Sequence, residues 1–325
     1  SSRFLAQLFR IVDLAHQAVV DGIPTTKRDM YYKDVPLFKS QSVVDRFIDD
    51  IAATIGVGRA DLNVRASSKG LVCGSGLCIQ LVGDEILRAT DSEGTLIPTA
   101  EDIVRFELEQ DVSWVLIVEK EAVFQTLCRL RFTKHQSLPG PGLIITGKGY
   151  PDLATRQLVK TLSDNLPPSI PILALVDGDA YGLDIVSTYK FGSHAMQHER
   201  EGLAASRVVC IGIWASELSK REPSLFLGAP NSLNYIRLGI DKDMLIPISN
   251  HDEKKAIKML QRPPDMLPVK WKKELMAMLH TRRKAETEIL SSVNMDGFEG
   301  AKHDKHPILQ YLATKINEHI ASLVS

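Results

Sequence analysis

The stretch Ile172-Leu173-Ala174-Leu175-Val176-Asp177-Gly178-Asp179-Ala180-Tyr181-Gly182 runs five apolar residues straight into two acidic ones and then into a helical pattern. A short apolar run of this kind reads as a strand buried on both faces, as parallel sheets require. The unit recurs: strands are expected at 114–118, 143–146, 172–176 and 208–213, with helices at about 121–132, 151–165 and 180–191 between them. Pro151 would take the favoured first-turn position of its helix. Alternation of this kind predicts an α/β architecture with a parallel sheet and crossover helices. Further on, 252–262 and 270–290 are helical by periodicity, and Pro263-Pro264 breaks the chain between them.

Chemistry sits where those strands end. Glu119 follows 114–118, and Asp177 and Asp179 follow 172–176, so three carboxylates should converge outside the carboxyl edge of one sheet, where open α/β sheets bind ligands. Two residues apart in an extended segment, Asp177 and Asp179 point to one side. Hard oxygen donors suit Mg2+, with Mn2+ as a substitute, and the pair implies phosphate chemistry. Taken alone, D-x-D is equally the pattern of solvated carboxylates and helix N-caps.

Upstream, the apolar residues Phe4, Leu5, Leu8, Ile11, Val12, Ala15 and Val19 recur at helical spacing until Gly22-Ile23-Pro24 stops them. A second helix starts near Thr26 and carries Tyr31 and Tyr32, and a third spans about 42–55. After them, 62–66 and 70–73 flank Ser67-Ser68-Lys69 and read as strand, polar turn, strand. Three helices followed by a hairpin describe a winged-helix domain over 1–108, leaving 109–325 for the α/β domain and its C-terminal helices.

The 325 residues are 44% apolar and 24% charged, enough for two globular domains. A net charge of -1 excludes global attraction to nucleic acid, so any DNA surface must be a local basic patch. Cys73, Cys78, Cys128 and Cys210 are too few and too irregular for a disulfide framework and read as free thiols in a reducing compartment. No apolar run approaches a membrane span, and the first residues given lack the charged, apolar and small-residue zones of a signal peptide. Ser1-Ser2 in place of an initiating Met suggests a trimmed N-terminus.

Several motifs in order resemble a known family. Glu119-Lys120, Gly147-Lys148-Gly149 and Asp177 to Gly182 resemble the toprim domain of topoisomerases, primases and some nucleases. The segment Thr25-Thr26-Lys27-Arg28-Asp29-Met30-Tyr31-Tyr32-Lys33-Asp34-Val35-Pro36-Leu37-Phe38 is similar to the catalytic segment of the topoisomerase VI A-subunit family, most of all its eukaryotic members that make meiotic double-strand breaks. Ser67 to Val72 and Gly147 to Leu153 extend the resemblance, which spans about 3–283.

The resemblance implies a transesterification. Tyr32 attacks a phosphodiester of double-stranded DNA and stays linked to the 5′ end while a 3′ hydroxyl leaves. Physics alone does not choose between Tyr31 and Tyr32; neighbours on a helix point about 100° apart, so one can face DNA while the other is buried. A phenol, with an ordinary pKa of about 10, needs help losing its proton. Arg28, four residues before Tyr32 on the same helical face, could stabilise charge on the scissile phosphate, and Lys27 could hold its neighbour. By the same resemblance Glu119, Asp177 and Asp179 hold the metal. Lys69, at the tip of the expected hairpin, and Lys148, between two glycines, are expected phosphate contacts, with Tyr150 also approaching DNA. Further implications are a dimer for cleavage, a topoisomerase VI B-like subunit, recombination accessory proteins, and residence in the nucleus on chromosomes. The alternative readings are the A-subunit of an ATP-dependent type IIB topoisomerase and a noncatalytic DNA-binding scaffold.

Three patterns are set aside. Gly142 to Lys148 begins like a P-loop, but Gly149 replaces the Ser or Thr that binds Mg2+. Asp177 to Gly182 begins like a calcium loop, but Tyr181 stands at a ligand position. His194 and His198 lack the Glu of a zinc-protease helix between them. Arg282-Arg283-Lys284 reads as a solvated helical face.

Overall fold

Residues 2–65, 68–192, 203–214, 216, 245–292 and 306–324 are described in the computed structural model. The chain divides into two units, Ser1–Ser68 with Pro98–Ile103, and Lys69–Ile97 with Val104–Ser325. Ala66, Ser67, His194, His198 and residues 293–305 lie outside the described residues.

The first unit is helical. It contains α1 (Ser2–Asp21), β1 (Thr25–Thr26), α2 (Lys27–Lys33), α3 (Val35–Phe38), α4 (Gln41–Ile55) and β2 (Val64–Arg65). Helix α2 starts where Thr26 supplies a reciprocal cap. The Thr26 hydroxyl accepts from the Asp29 amide at 3.0 Å, and the Asp29 carboxylate accepts from the Thr26 amide at 3.2 Å. Helix α4 ends at Gly56, whose φ of 73° suits a residue without a Cβ. Ile11, Leu14, Met30, Phe38, Val44, Phe47 and Ile48 form one core. The apolar residues of α1 occupy two faces rather than one: Ile11, Leu14, Ala15 and Ala18 are buried, whereas Phe4, Leu5, Val12 and Val19 are exposed.

The expected hairpin between 62–66 and 70–73 is not formed. Strand β2 pairs in parallel with β1, Thr25 opposite Val64. Leu71–Cys73, strand β3, instead joins the large sheet of the second unit, with Val72 opposite Ile145. Both segments are β-prone and the residues between them are polar, which is what a local turn looks like; each found a partner distant in sequence. Lys69 is accordingly no hairpin tip, and its backbone amide donates to Asp152 at 2.7 Å.

In the second unit β4 (Leu77–Leu81), β5 (Ile86–Arg88) and β7 (Ile103–Leu108) make a small sheet in the order β5-β4-β7. Its main sheet combines β3 with β6 (Thr95–Leu96), β8 (Trp114–Val118), β9 (Gly142–Thr146), β10 (Ile172–Leu175) and β11 (Val208–Gly212) in the order β11-β10-β8-β9-β3-β6. The pairings β11-β10, β10-β8 and β8-β9 are parallel, and β3 is antiparallel to both β9 and β6. Strands β8, β9 and β10 are buried throughout, which is why they read as uninterrupted apolar runs. Helices α5 (Glu121–Arg129), α6 (Leu153–Asn165) and α7 (Ala180–Phe191) follow β8, β9 and β10. Helix α6 begins after Asp152, which accepts from the Thr155 amide at 2.8 Å, so Pro151 precedes the cap and is not a first-turn residue. A carboxylate that satisfies a free amide sets the boundary.

Then come β12 (Ile246–Pro247), α8 (Asn250–Leu260), α9 (Val269–Thr281), β13 (Arg283–Lys284), α10 (Ile289–Ser292) and α11 (Pro307–Val324). The helix expected over 270–290 stops early, because Arg282 turns left-handed at φ 53° and the chain enters β13, antiparallel to β12. Arg282-Arg283-Lys284 is therefore a turn and strand, not a solvated helical face.

Arg207 holds the α6–β10 connection. Its guanidinium donates to the carbonyls of Ser163 at 2.8 Å, Leu166 at 2.6 Å, and Pro167 and Ile170 at 2.7 Å each. The first two lie where a helix end leaves carbonyls unpaired. Arg207→Met should cost about 2–3 kcal/mol, read as a lower urea midpoint with unchanged slope.

Candidate active site

The two tyrosines of α2 differ in exposure. Tyr31 is half-buried against the helical core, whereas Tyr32 is 60% exposed. Their rings lie 5.3 Å apart at 54°. The Arg28 guanidinium sits 5.8 Å from the Tyr32 ring centroid, as the four-residue spacing requires, and Arg28 is exposed. Lys27 faces elsewhere: its ammonium meets Asp49 at 2.5 Å and the Asp45 carbonyl at 3.2 Å, and burial lowers its pKa. Thr26, Lys27, Arg28, Asp45, Arg59 and Arg65 border a groove of about 280 Å3. Arg59 and Arg65 carry no motif that would have singled them out.

In the other unit, parallel pairing sets Leu175 opposite Val118, so Glu119 and Asp177 leave the sheet at the same edge. The Glu119 carboxylate accepts from the Asp177 amide at 2.9 Å. Burial, then the neighbouring Asp177 charge, push the Glu119 carboxyl up to about 7. Burial raises Asp177 as well. Asp179 is the N-cap of α7, accepting from the Tyr181 and Gly182 amides at 2.9 Å each. Gly182 is required there, since a Cβ would lie 2.3 Å from the Asp177 carbonyl oxygen. Of the roles open to D-x-D, Asp179 takes the helix N-cap.

The residues that complete this edge come from the segment after α9. The Asp177 Oδ1 atom accepts from the Thr287 amide at 2.8 Å and hydroxyl at 2.9 Å, and its Oδ2 atom lies 2.9 Å from the Lys120 ammonium. Lys120 also meets Glu288 at 2.5 Å and Glu286 at 3.5 Å. Lys284 lies 3.3 Å from Asp179 and 3.2 Å from Asp252. The Gly178 amide donates to the Ala285 carbonyl at 2.7 Å. Sequence reasoning set Lys284 aside as part of a solvated face and missed Thr287, because nothing local marks a strap that runs beside a motif about a hundred positions away. Among the described residues no three His, Cys, Asp or Glu side chains are already drawn together as a coordination shell. Glu119, Asp177 and Asp179 nevertheless offer carboxylate oxygens from one sheet edge, the hard donor type that a divalent cation takes.

Lys148 follows β9 in a left-handed turn, φ 51°, with Gly149 at 87°. The Gly149 amide donates to the Glu119 carbonyl at 3.0 Å, and Lys148 pairs with Glu121 at 2.9 Å. The Lys69 ammonium donates to the Lys148 carbonyl at 3.2 Å, so both lysines belong to the acidic unit. Tyr150 is 42% exposed, and its hydroxyl donates to Asp184 at 2.5 Å.

A profile for the toprim domain of the topoisomerase 6 A-subunit/Spo11 proteins matches residues 114–300, and one described as "Type IIB DNA topoisomerase" matches 3–64. The chain belongs to the topoisomerase 6 A-subunit/Spo11 family. Meiotic recombination protein SPO11 of Mus musculus is 34% identical over 296 residues, 91% of this chain and 69% of that protein. Meiotic recombination protein rec12 of Schizosaccharomyces pombe is 43% identical over 195 residues, 60% of this chain and 52% of that protein. The A-subunit of DNA topoisomerase 6 from Arabidopsis thaliana is 34% identical over 284 residues, 87% of this chain and 61% of that protein. The parallel sheet of β8 to β11 lies in the segment matched as toprim, a domain class that generally binds metal. Among the described residues no helix is long and apolar enough to cross a membrane.

Asp184 joins this topoisomerase-family edge to α8. It is 9% exposed and binds Lys255 at 2.5 Å, the Arg262 guanidinium, and the Tyr150 hydroxyl. Burial works to raise its pKa, but Lys255, Tyr150 and Arg262 outweigh it and hold the carboxyl below its ordinary 3.8. A depressed folded pKa gives stability that is present above about pH 4 and lost as pH falls through the folded value. Asp184→Asn should cost about 3 kcal/mol at pH 7 by urea unfolding and flatten the acid limb of the stability profile below about pH 4.

Proposed function

We propose that this chain is a topoisomerase-like DNA transesterase that makes meiotic double-strand breaks, with Tyr32 as nucleophile and Glu119, Asp177 and Asp179 as the metal-holding acids. The observation that carries the residue assignment is the exposure of Tyr32 beside Arg28 on a firmly capped helix while Tyr31 packs inward. The Tyr32 oxygen bonds to phosphorus and the P–O3′ bond breaks, and in net the phenolic proton passes to the departing O3′, which leaves as a 3′ hydroxyl. No water is consumed. Arg28 neutralises charge on the phosphate under attack. Lys69 and Lys148, joined where the Lys69 ammonium donates to the Lys148 carbonyl in the turn that Gly149 ties to Glu119, position neighbouring phosphates. Tyr150, pinned by Asp184, offers its ring to DNA. Mg2+, or Mn2+ in its place, supplies electrostatic stabilisation of phosphate oxygens when bound. Lys27, tied to Asp49, contributes by fixing α2 on α4 as well as by its charge.

The nucleophile lies in one unit and the acids in the other. The family reading has the tyrosine of one copy work with the acids of a second, so a dimer is the cutting species, acting with a topoisomerase VI B-like subunit, plus recombination accessory proteins, on chromosomes in the nucleus. The division into a winged-helix domain over 1–108 and a toprim domain with helical extension over 109–325 belongs to the same proposal, although the 62–73 hairpin is not formed and Lys69–Ile97 group with the second unit. Helices α2 and α4 packed on α1 support its helix-turn-helix portion.

Tyr32→Phe should abolish the covalent protein–DNA adduct on denaturing gels while leaving DNA binding intact, and an undiminished adduct would remove the assignment. Asp177→Asn should lower metal-dependent cleavage by about 100-fold or more, and cleavage that persists in chelator would count against the metal role. The similarity to the topoisomerase 6 A-subunit of Arabidopsis favours one second reading, a resealing enzyme. Relaxation of supercoiled DNA on adding ATP with a topoisomerase VI B-subunit would establish it.

A further inference from the structure

The segment after α9 touches both aspartates of the D-x-D motif, one with a neutral donor and the other with a cation. Thr287 gives Asp177 two hydrogen bonds to one oxygen, Oδ1, at 2.8 and 2.9 Å. That fixes the rotation of the carboxylate and leaves Oδ2 turned toward Lys120 at 2.9 Å. Lys284 brings a full positive charge to the Oδ2 atom of Asp179 at 3.3 Å, the oxygen that capping α7 leaves over. Its own position is set from behind by Asp252, itself locked in the Ser249 cap of α8. The lysine side chain is only 17% exposed, so solvent screens this charge weakly.

We propose that Lys284 and Thr287 are positioning residues that set the metal affinity of the acidic edge in opposite directions. Thr287 raises affinity by holding Asp177 in one orientation, the usual effect of a hydrogen bond to a ligating carboxylate. Lys284 lowers affinity by occupying the Asp179 oxygen and repelling a dication, so that a cation must displace it to use both aspartates. The inference rests on the reading of Glu119, Asp177 and Asp179 as the metal site. A segment that merely braced the fold would lower affinity whichever of the two residues were removed.

The test is Mn2+ titration of the full chain without DNA, followed by the electron paramagnetic resonance signal of free Mn2+. Lys284→Met should tighten binding by about tenfold, and Lys284→Arg should leave it close to that of the unaltered protein. Thr287→Val should weaken binding by about tenfold, and Thr287→Ser should restore it. Lys284→Gln and Thr287→Ala carry the same expected signs should either first variant fail to fold. Asp177→Asn is the control. If it abolishes Mn2+ binding while Lys284→Met binds no tighter than the unaltered protein, or Thr287→Val no weaker, the inference is overturned and the metal site stands. If Asp177→Asn binds Mn2+ as well as the unaltered protein does, the metal site itself falls, and the inference with it.

Discussion

The register of β10 against β8 is the constraint on which the rest depends. With Ile172 opposite Val115 and Leu175 opposite Val118, the two strands run out together, and the residues that follow them meet without any further instruction. The Asp177 amide then reaches the Glu119 carboxylate. A slip by one residue would turn every buried side chain of β10 toward the opposite face, so core packing and acid placement are enforced by the same interaction. Because both strands are buried on both faces, a slip would be punished through misfitted side-chain packing rather than through exposure.

Charge at this edge is arranged in layers. Buried carboxylates stand nearest the sheet, lysines from two separate segments balance two of them, and further acids, Asp252, Glu286 and Glu288, hold those lysines in turn. The arrangement keeps like charges together without unfolding the loops that carry them, and it leaves Glu119 as the least compensated member. On the helical unit the logic is simpler. A reciprocal cap fixes where α2 begins, and helical geometry then decides which tyrosine faces out.

What could be read from the chain follows from how far each signal travels. The strands 114–118, 143–146 and 172–176 were legible because full burial writes itself as an unbroken apolar run. Tyr32 and Arg28 were legible as a pair through their spacing, but only exposure separates Tyr31 from Tyr32 outside family resemblance. The hairpin at 64–73 was misread because strand propensity says nothing about the partner, and Val64 and Val72 pair with Thr25 and Ile145. Asp152 rather than Pro151 starts α6, since a cap is defined by the hydrogen bond it makes. Lys284 and Thr287 were illegible for the same reason. Their meaning lies in contacts 105 and 110 residues away, and their own neighbourhood reads as an ordinary charged helix end.

That separation has a consequence for how the protein comes into being. A chain growing on the ribosome completes α2, with its exposed tyrosine, long before the segment that carries Thr287 and Lys284 has been synthesised. Until that segment arrives, Asp177 lacks its anchor and Asp179 its counter-charge. A partly made polypeptide therefore displays Tyr32 before the acidic edge of the other unit is finished. The long span between motif and strap means that the acidic edge is completed only late in synthesis, well after α2 has emerged.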